Sequence, residues 1–334
     1  MALLRARNFQ GLVTGPSLTK GRLLSSRASA HLLPSCRRNQ FKSRCSLSFG
    51  GLLAGFQSAF PIFNSPFGRM SASTAEITDK LEISRIPCLS DNYVWLLKEP
   101  VSGLTAIVDA SEVNPIVRAL DERGEKLDFI LNTHHHWDHT GGNIELKNRY
   151  GCKIVGPAAD ESRIPGIDIA LKDSEVWKFG NLDMVVWDTP GHTRGHITLH
   201  FPEAGCLFPG DTLFAMGCGR LFEGNAEQMW TSLSKMMVLP PETRVYSAHE
   251  YTQSNAKFAL TVDPQNSKLI ARKKQVDDMR AKGIPTLPST IQDELDTNPF
   301  FRAPHPDIRA RLGVSTQDSD VAAFAAVRTA KDKF

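Results

Sequence analysis

The chain has 334 residues, enough for two domains, and its 41% hydrophobic and 22% charged content is ordinary for a soluble protein. Its charge is uneven: residues 1–75 hold ten Arg or Lys, twelve Ser and no Asp or Glu, and without those ten cations the formal charge of +3 becomes −7. The mildly acidic remainder leaves no basic face for nucleic acid, and the apolar patch at 47–63, broken by glycines, Gln57 and Pro61, falls short of the roughly 20 residues of a membrane helix.

That N-terminal quarter has the composition of an organellar transit peptide. The expectation is a removed leader over 1–75 and a mitochondrial matrix protein, favoured over a plastid one by arginine density; a second start at Met70 would give a cytosolic form. The remaining cysteines, Cys88, Cys152, Cys206 and Cys218, include no C-x-x-C pair, which argues for reduced core thiols rather than a disulfide framework or a zinc ribbon.

From residue 81 the pattern is an alternating hairpin, 81–88 and 93–99, around Ser90-Asp91-Asn92. Residues 104–108 form a short strand ending in Asp109-Ala110-Ser111, and a helix follows over 114–123, closed by Gly124. Residues 129–132 are a buried strand and 141–150 a short helix ending at Gly151. Strand signals dominate to Phe208, then 226–237 has a helical period and 245–247 is the last strand. After His249 the alternation ends: 254–282 is at helical spacing, with further helices at 291–295 and 321–331 separated by the proline-rich 298–306. This order predicts an α/β domain over 77–250. A helical domain over 251–334 follows, too small to bury a large core alone and expected to pack across the rim of the first.

Residues 133–139 read Thr-His-His-His-Trp-Asp-His, directly after an apolar strand. Burying unpartnered imidazoles is costly, and a divalent metal partners several at once. Three more short β runs end in loops with ligand chemistry: His192 after Thr189-Pro190-Gly191, Asp211 after Phe208-Pro209-Gly210, and His249 after Ser247-Ala248. The inventory is His134, His136, Asp138, His139, His192, Asp211 and His249. It exceeds the three or four protein ligands of one zinc-like ion. It suits two divalent metals sharing a carboxylate, a pair about 3.5–4 Å apart that clamps a hydroxide and a polarised oxygen together. Nitrogen and oxygen donors without thiolate admit Zn, Fe or Mn.

These residues resemble the ligand set of the metallo-β-lactamase superfamily. The longer strings THHHWDHTGGN at 133–143, Thr189-Pro190-Gly191-His192-Thr193 and Gly210-Asp211-Thr212-Leu213-Phe214 resemble glyoxalase II, the hydroxyacylglutathione hydrolase family, and the likeness runs from about 81 to 334. The resemblance implies a four-layer αβ/βα sandwich with a C-terminal helical domain. It also implies one metal on His134, His136 and His192, a second on Asp138, His139 and His249, and Asp211 as the bridge. Hydroxide between the metals would attack the thioester of S-D-lactoylglutathione, with Asp138 and Asp211 at the catalytic centre.

A thioester suits such a centre, because a leaving thiolate with a conjugate-acid pKa of about 8.5 departs without a dedicated general acid. Glutathione thioesters carry two carboxylates and an amine, so an acidic protein must supply a local cationic clamp. The family's C-terminal Arg-x-x-Lys, and its Tyr two residues past the last histidine, are similar to Arg328-Thr329-Ala330-Lys331 and Tyr251 here. At i and i+3, Arg328 and Lys331 share one helix face and can converge on one carboxylate. Where the family has a Lys and a Tyr in the loop after the bridging aspartate, this chain has Arg220 and Phe222. Arginine keeps the charge and adds a fork; phenylalanine loses a hydroxyl worth about 1 kcal/mol.

His135 is expected to point away from the metals and His196 to hydrogen-bond behind them, while His31, His200 and His305 have no context supporting a ligand role. Two other readings share the fold. One is a persulfide dioxygenase with a single iron on two His and an Asp, typically without so long a helical tail. The other is a catalytically silent metal-binding homologue, whose site would be broken. The complete seven-residue set and the Arg328/Lys331 pair speak against both. The expected partner is a small glutathione thioester, without nucleic acid or membrane span, and the expected form is a monomer.

Overall fold

The computed structural model describes residues 76–77 and 80–334; the expected leader at 1–75, with Met70, lies outside the described residues. In chain order come β1 (Glu76–Ile77), β2 (Glu82–Cys88), β3 (Asn92–Lys98), β4 (Thr105–Val108), α1 (Val113–Arg123), β5 (Phe129–Leu131), α2 (Trp137–Thr140), α3 (Asn143–Tyr150), β6 (Lys153–Pro157) and β7 (Ile169–Leu171). These strands form a seven-stranded sheet in sequence order, antiparallel from β1 to β4 and parallel from β4 to β7. There follow β8 (Val176–Phe179), β9 (Leu182–Asp188), β10 (Ile197–Phe201), β11 (Cys206–Phe208), the small hairpin β12 (Leu213–Phe214) and β13 (Gly217–Cys218), α4 (Ala226–Met237) and β14 (Arg244–Val245). The last part holds α5 (Thr252–Val262), α6 (Ser267–Ala281), β15 (Ser289–Thr290), α7 (Ile291–Thr297), α8 (Pro306–Leu312) and α9 (Asp320–Asp332). A second sheet runs in the order β15-β14-β11-β10-β9-β8.

Side-chain alternation along β3 shows how the layers form. Trp95 and Leu97 face the second sheet and pack with Phe179, Met184, Phe201 and Phe208. Val94 and Leu96 face the other way, onto Ile116 and Leu120 of α1 and Leu146 of α3. A sheet covered on both faces buries every position, which is why this strand reads as an unbroken apolar run. On the far side of the second sheet, Leu207 and Val245 pack against Met229, Leu233 and Met236 of α4 and against Phe258, Phe300 and Phe324 of the C-terminal helices. The result is an α/β sandwich of four layers, helix, sheet, sheet, helix, with helices after residue 250, as the sequence predicts.

Local signals set several boundaries. Gly124 takes a left-handed φ of 63° and closes α1; Asn225 and Gln228 form a capping box that starts α4. Three features differ from expectation. The last strand is β15, not 245–247: Ser289 pairs with Val245 and Thr290 with Arg244. Two residues cannot show alternation, and Thr290 is at once the N-cap of α7. The proline-rich stretch ends by starting α8, since a proline in the first turn sacrifices no hydrogen bond. The span 254–282 is two helices, interrupted around Pro264 and restarted by the Asn266 cap. Cys88, Cys152, Cys206 and Cys218 are all buried thiols, and no helix among the described residues is long and apolar enough to cross a membrane.

Candidate metal centre and substrate cleft

Both sheets deliver strand ends to one rim. Past β5, Thr133 is locked before the histidines begin: its N–H and hydroxyl donate to the two oxygens of Asp109, each at 2.9 Å, and its carbonyl accepts from Ile197 of β10. Asn132 accepts from Asn143 at 2.7 Å and donates to the His139 carbonyl at 2.9 Å, folding 134–139 into a tight loop that ends in α2. The loops after β9, β11 and β14 bring in His192, Asp211 and His249.

Ligand-type atoms gather in three overlapping groups: His134, His136 and His192; His134, His139 and Asp211; and Asp138, His139 and His249, all within 4.8 Å in each group. His136 Nδ1 lies 3.0 Å from His134 Nε2 and 3.1 Å from His192 Nε2. His139 Nε2 and His249 Nε2 lie 3.5 and 3.6 Å from Asp138 Oδ2. Asp211 stands between: Oδ2 is 3.4 Å from His192 Nε2, and Oδ1 is 3.4 Å from both His139 Nε2 and His249 Nε2.

The donor set fits divalent cations on its own chemistry. Four imidazoles have their outer nitrogen committed to an acceptor: His134 Nδ1 to Thr133 Oγ1 (3.0 Å), His139 Nδ1 to Asp109 Oδ2 (2.8 Å), His192 Nδ1 to the Arg220 carbonyl (2.9 Å) and His249 Nδ1 to Asp91 Oδ1 (2.8 Å). Because the Thr133 hydroxyl is already donated to Asp109, it must accept from His134, and a backbone carbonyl can only accept. The outer nitrogens therefore carry the protons, and the inner ones turn lone pairs toward one another. Facing lone pairs repel unless a cation lies among them. Asp211 Oδ1 is likewise buried without a hydrogen-bond donor among the described residues, a costly state that a metal relieves.

Charge at the centre follows the same logic. Burial, then the surrounding imidazoles, hold His134 well below the ordinary histidine value, and burial followed by His192 takes His136 down to about 4. Burial also opposes charge on His139 and His249, but Asp211 and the acids behind each ring outweigh it. His139 is raised well above its ordinary value and His249 to about 9. Burial resists ionisation of Asp211, yet His249 and His139 hold it far below the usual carboxylate range. Positive charge belongs here, whether as protons or as metal.

In front of the centre lies a cleft of about 590 Å³ whose lining includes Asp138, Asp211, Arg220, Phe222, Tyr251 and Lys331. Phe222 is 62% exposed and lies edge-on to His192 and His136, at 5.2 and 5.9 Å. Tyr251 stacks flat on His249 (4.7 Å, 6°) and meets Phe214 edge-on. Burial and then Asp91 and Asp211 raise the Tyr251 phenol, which keeps it a neutral O–H. Arg328 reaches the cleft but is 5% exposed and committed to the chain itself: Nη1 donates to Cys218 O (3.0 Å), while Nε and Nη2 donate to Asp332 Oδ1 (3.1 and 2.8 Å). Lys331 Nζ sits 5.1 Å from the ring centres of Phe258 and Phe334. The two cations thus share a helix face without presenting equal charge to the cleft.

A family model for the hydroxyacylglutathione hydrolase C-terminus matches residues 250–334, and one for the metallo-beta-lactamase superfamily matches 91–249. The hydroxyacylglutathione hydrolase of Methylococcus capsulatus is 54% identical over 254 residues, covering 76% of this chain and 99% of the relative. That of Maricaulis maris is 48% identical over 255 residues, with the same coverage. This chain belongs to the hydroxyacylglutathione hydrolase family. Among solved structures, ETHE1 from Myxococcus xanthus superposes with a TM-score of 0.53 at 22% identity, over 74% of this chain and 89% of that one. A metallo-beta-lactamase from Staphylococcus aureus gives 0.51 at 20%, over 76% and 72%. At such identity these two likenesses describe the fold alone. With the family comes divalent metal binding.

Within this hydroxyacylglutathione hydrolase family member, all seven metal-type residues named from the sequence meet at one point, and the five cleft residues named with them line one cavity. His135 turns away, its Nδ1 2.8 Å from Asp160. His196 lies behind the centre, its Nε2 accepting the Asp211 N–H at 3.1 Å. The sequence reading missed Asp109, Asp91 and Thr133. Asp109 had one signal, its place at the end of a strand; it takes a left-handed φ of 59°, rare for a residue with a side chain. Gly210 is required beside it, since a Cβ there would strike Thr133 and His196.

Proposed function

We propose that this protein is a dinuclear metal-dependent thioester hydrolase that cleaves S-D-lactoylglutathione to D-lactate and glutathione. The observation that carries it is the placement of Asp211 between two triads, one oxygen toward each, at the floor of a cleft edged by cations. In this reading His134, His136 and His192 hold one metal, Asp138, His139 and His249 the other, and Asp211 both. Zinc is the first choice, with iron or manganese admitted by the all nitrogen and oxygen donor set. Two such cations would supply an acidified water, with a pKa lowered to about 7, and a Lewis acid for the thioester carbonyl.

The chain's own side chains do the rest. Asp91, Asp109, Thr133 and the Arg220 carbonyl hold four imidazoles in the tautomer that offers an inner lone pair. Arg220 and Lys331 attract the glutathione carboxylates, Arg328 fixes the Cys218–Gly219 backbone ahead of Arg220, and Tyr251 offers a neutral O–H donor. Thiolate departs unaided by an acid. A single-iron dioxygenase needs only one triad of this kind, whereas here both are equally gathered.

The test is thiol release from lactoylglutathione by metal-free and metal-reconstituted protein, with metal content determined. Turnover that rises to a plateau at two metals per chain is expected; turnover of a CoA thioester but not lactoylglutathione would overturn the substrate assignment. The leader reading rests on composition, supported by bacterial relatives spanned to 99% of their length by 76% of this chain. Residues 1–75 fused to a fluorescent reporter should enter mitochondria; a plastid signal would refute the mitochondrial assignment, and a cytosolic signal the leader itself.

A further inference from the structure

The loop between Gly219 and Asn225 contains neither helix nor strand, yet it carries Arg220 and Phe222 to the cleft. Glu223 fixes it. One carboxylate oxygen accepts the Arg194 N–H at 2.9 Å and the other accepts Arg163 Nη1 at 2.6 Å. The backbone N–H groups of Glu223 and Gly224 donate to the carbonyls of His192 (3.3 Å) and Gly191 (3.1 Å). Arg163 lies between β6 and β7 in the first half of the sandwich, so this contact joins the two halves. Its guanidinium also grips Asp160 and stands 3.3 Å from His135 Nε2. Asp160 is fully buried, and Gly195 must lack a Cβ to leave room for that carboxylate.

We propose that Glu223 is a positioning residue which, with Arg163, straps the Arg220–Phe222 loop across the His134, His136 and His192 triad. It thereby fixes both the cation that receives glutathione and the Arg220 carbonyl that orients His192. An isolated exposed ion pair contributes little. This pair is reinforced by a backbone N–H and a buried acid, and it sits on the flank where Phe222 covers two imidazoles. The strap is thus held by contacts to both halves of the sandwich. Its substrate arm rests on the thioester reading above; its metal arm rests on the contacts alone.

Metal-loaded Glu223→Ala, Arg163→Met and Arg163→Lys enzymes would be compared with the parent. The first two are expected to raise KM for lactoylglutathione about tenfold and to speed metal loss to a chelator about tenfold. Their kcat in excess metal should stay within about threefold of the parent. Arg163→Lys keeps the charge but loses the fork that spans Asp160 and Glu223, so both properties should fall between those of the parent and Arg163→Met. A Glu223→Ala enzyme with parental KM and parental chelation rate would overturn the proposal even if its Tm fell, because a merely structural pair moves Tm alone. If the alanine variant fails to fold, Glu223→Gln and Arg163→Met carry the same comparison. A parent that does not turn over lactoylglutathione fails the substrate reading only, and chelation rates then decide the strap.

Discussion

Asp109 Oδ2 lies 2.8 Å from His139 Nδ1, and the other Asp109 oxygen holds the Thr133 N–H at 2.9 Å. Through Thr133 the same carboxylate also orients His134, so one residue aligns a ligand of each triad. Asp109→Asn turns one of these acceptors into a donor facing an N–H. Metal affinity should fall by about 10–100-fold, the range for loss of a partner behind a liganding histidine. Competition with a chromophoric chelator measures this. Parental affinity would show that the Asp109 contacts are incidental.

Asp211 faces both triads, so its removal should not spare either. Asp211→Ala is expected to lose both metals and lower kcat by at least about a thousandfold, the scale of losing a principal source of electrostatic stabilisation. Metal analysis alongside single-substrate kinetics checks it. Full metal content with near-normal kcat would refute the bridging role.

The sequence makes the ligand set legible because each member is chemically conspicuous and ends an apolar run: His134 to His139 after β5, and His192, Asp211 and His249 after strands of the second sheet. What supports them is not legible. Asp109 and Asp91 are ordinary aspartates in the string, and their partners lie 24 and 158 residues away. Only folding brings Glu223 to Arg163. The four layers are legible because strands buried on both faces read as continuous apolar runs, whereas β15 is two polar-looking residues whose pairing depends on its neighbour. Arg328 and Lys331 are legible as a pair of cations, but their division of labour depends on Asp332 and on the Cys218 carbonyl.

That division is testable. Arg328→Ala strips donors from the Cys218 and Gly219 carbonyls inside the protein, so it should cost about 1–3 kcal/mol of stability as well as raise KM. Lys331→Ala should raise KM with little change in stability. Thermal denaturation and steady-state kinetics on both variants separate the effects. Equal stability losses would mean that Lys331 also braces the fold.

Lys331 should also give substrate binding a pH dependence. Burial, then Arg328 and Arg220, bring its ammonium down from an ordinary 10.5 to about 8. Below that value Lys331 is charged and, in the proposed reading, holds a glutathione carboxylate; above it the charge is lost. KM for lactoylglutathione should therefore be flat in mildly acidic to neutral solution and rise as pH passes through about 8, with kcat following a separate profile. The same shift has a stability consequence of definite sign. Between about 8 and 10.5 the unfolded chain binds a proton that the ligand-free folded chain does not, so this group's contribution to stability improves as pH rises through that window. Bound substrate works in the other direction, favouring the protonated lysine and moving the transition upward. Lys331→Met should abolish the alkaline rise in KM, starting from a higher value at pH 7. An alkaline rise that persists in Lys331→Met would assign the titration to another group and leave Lys331 without a role in binding the anion.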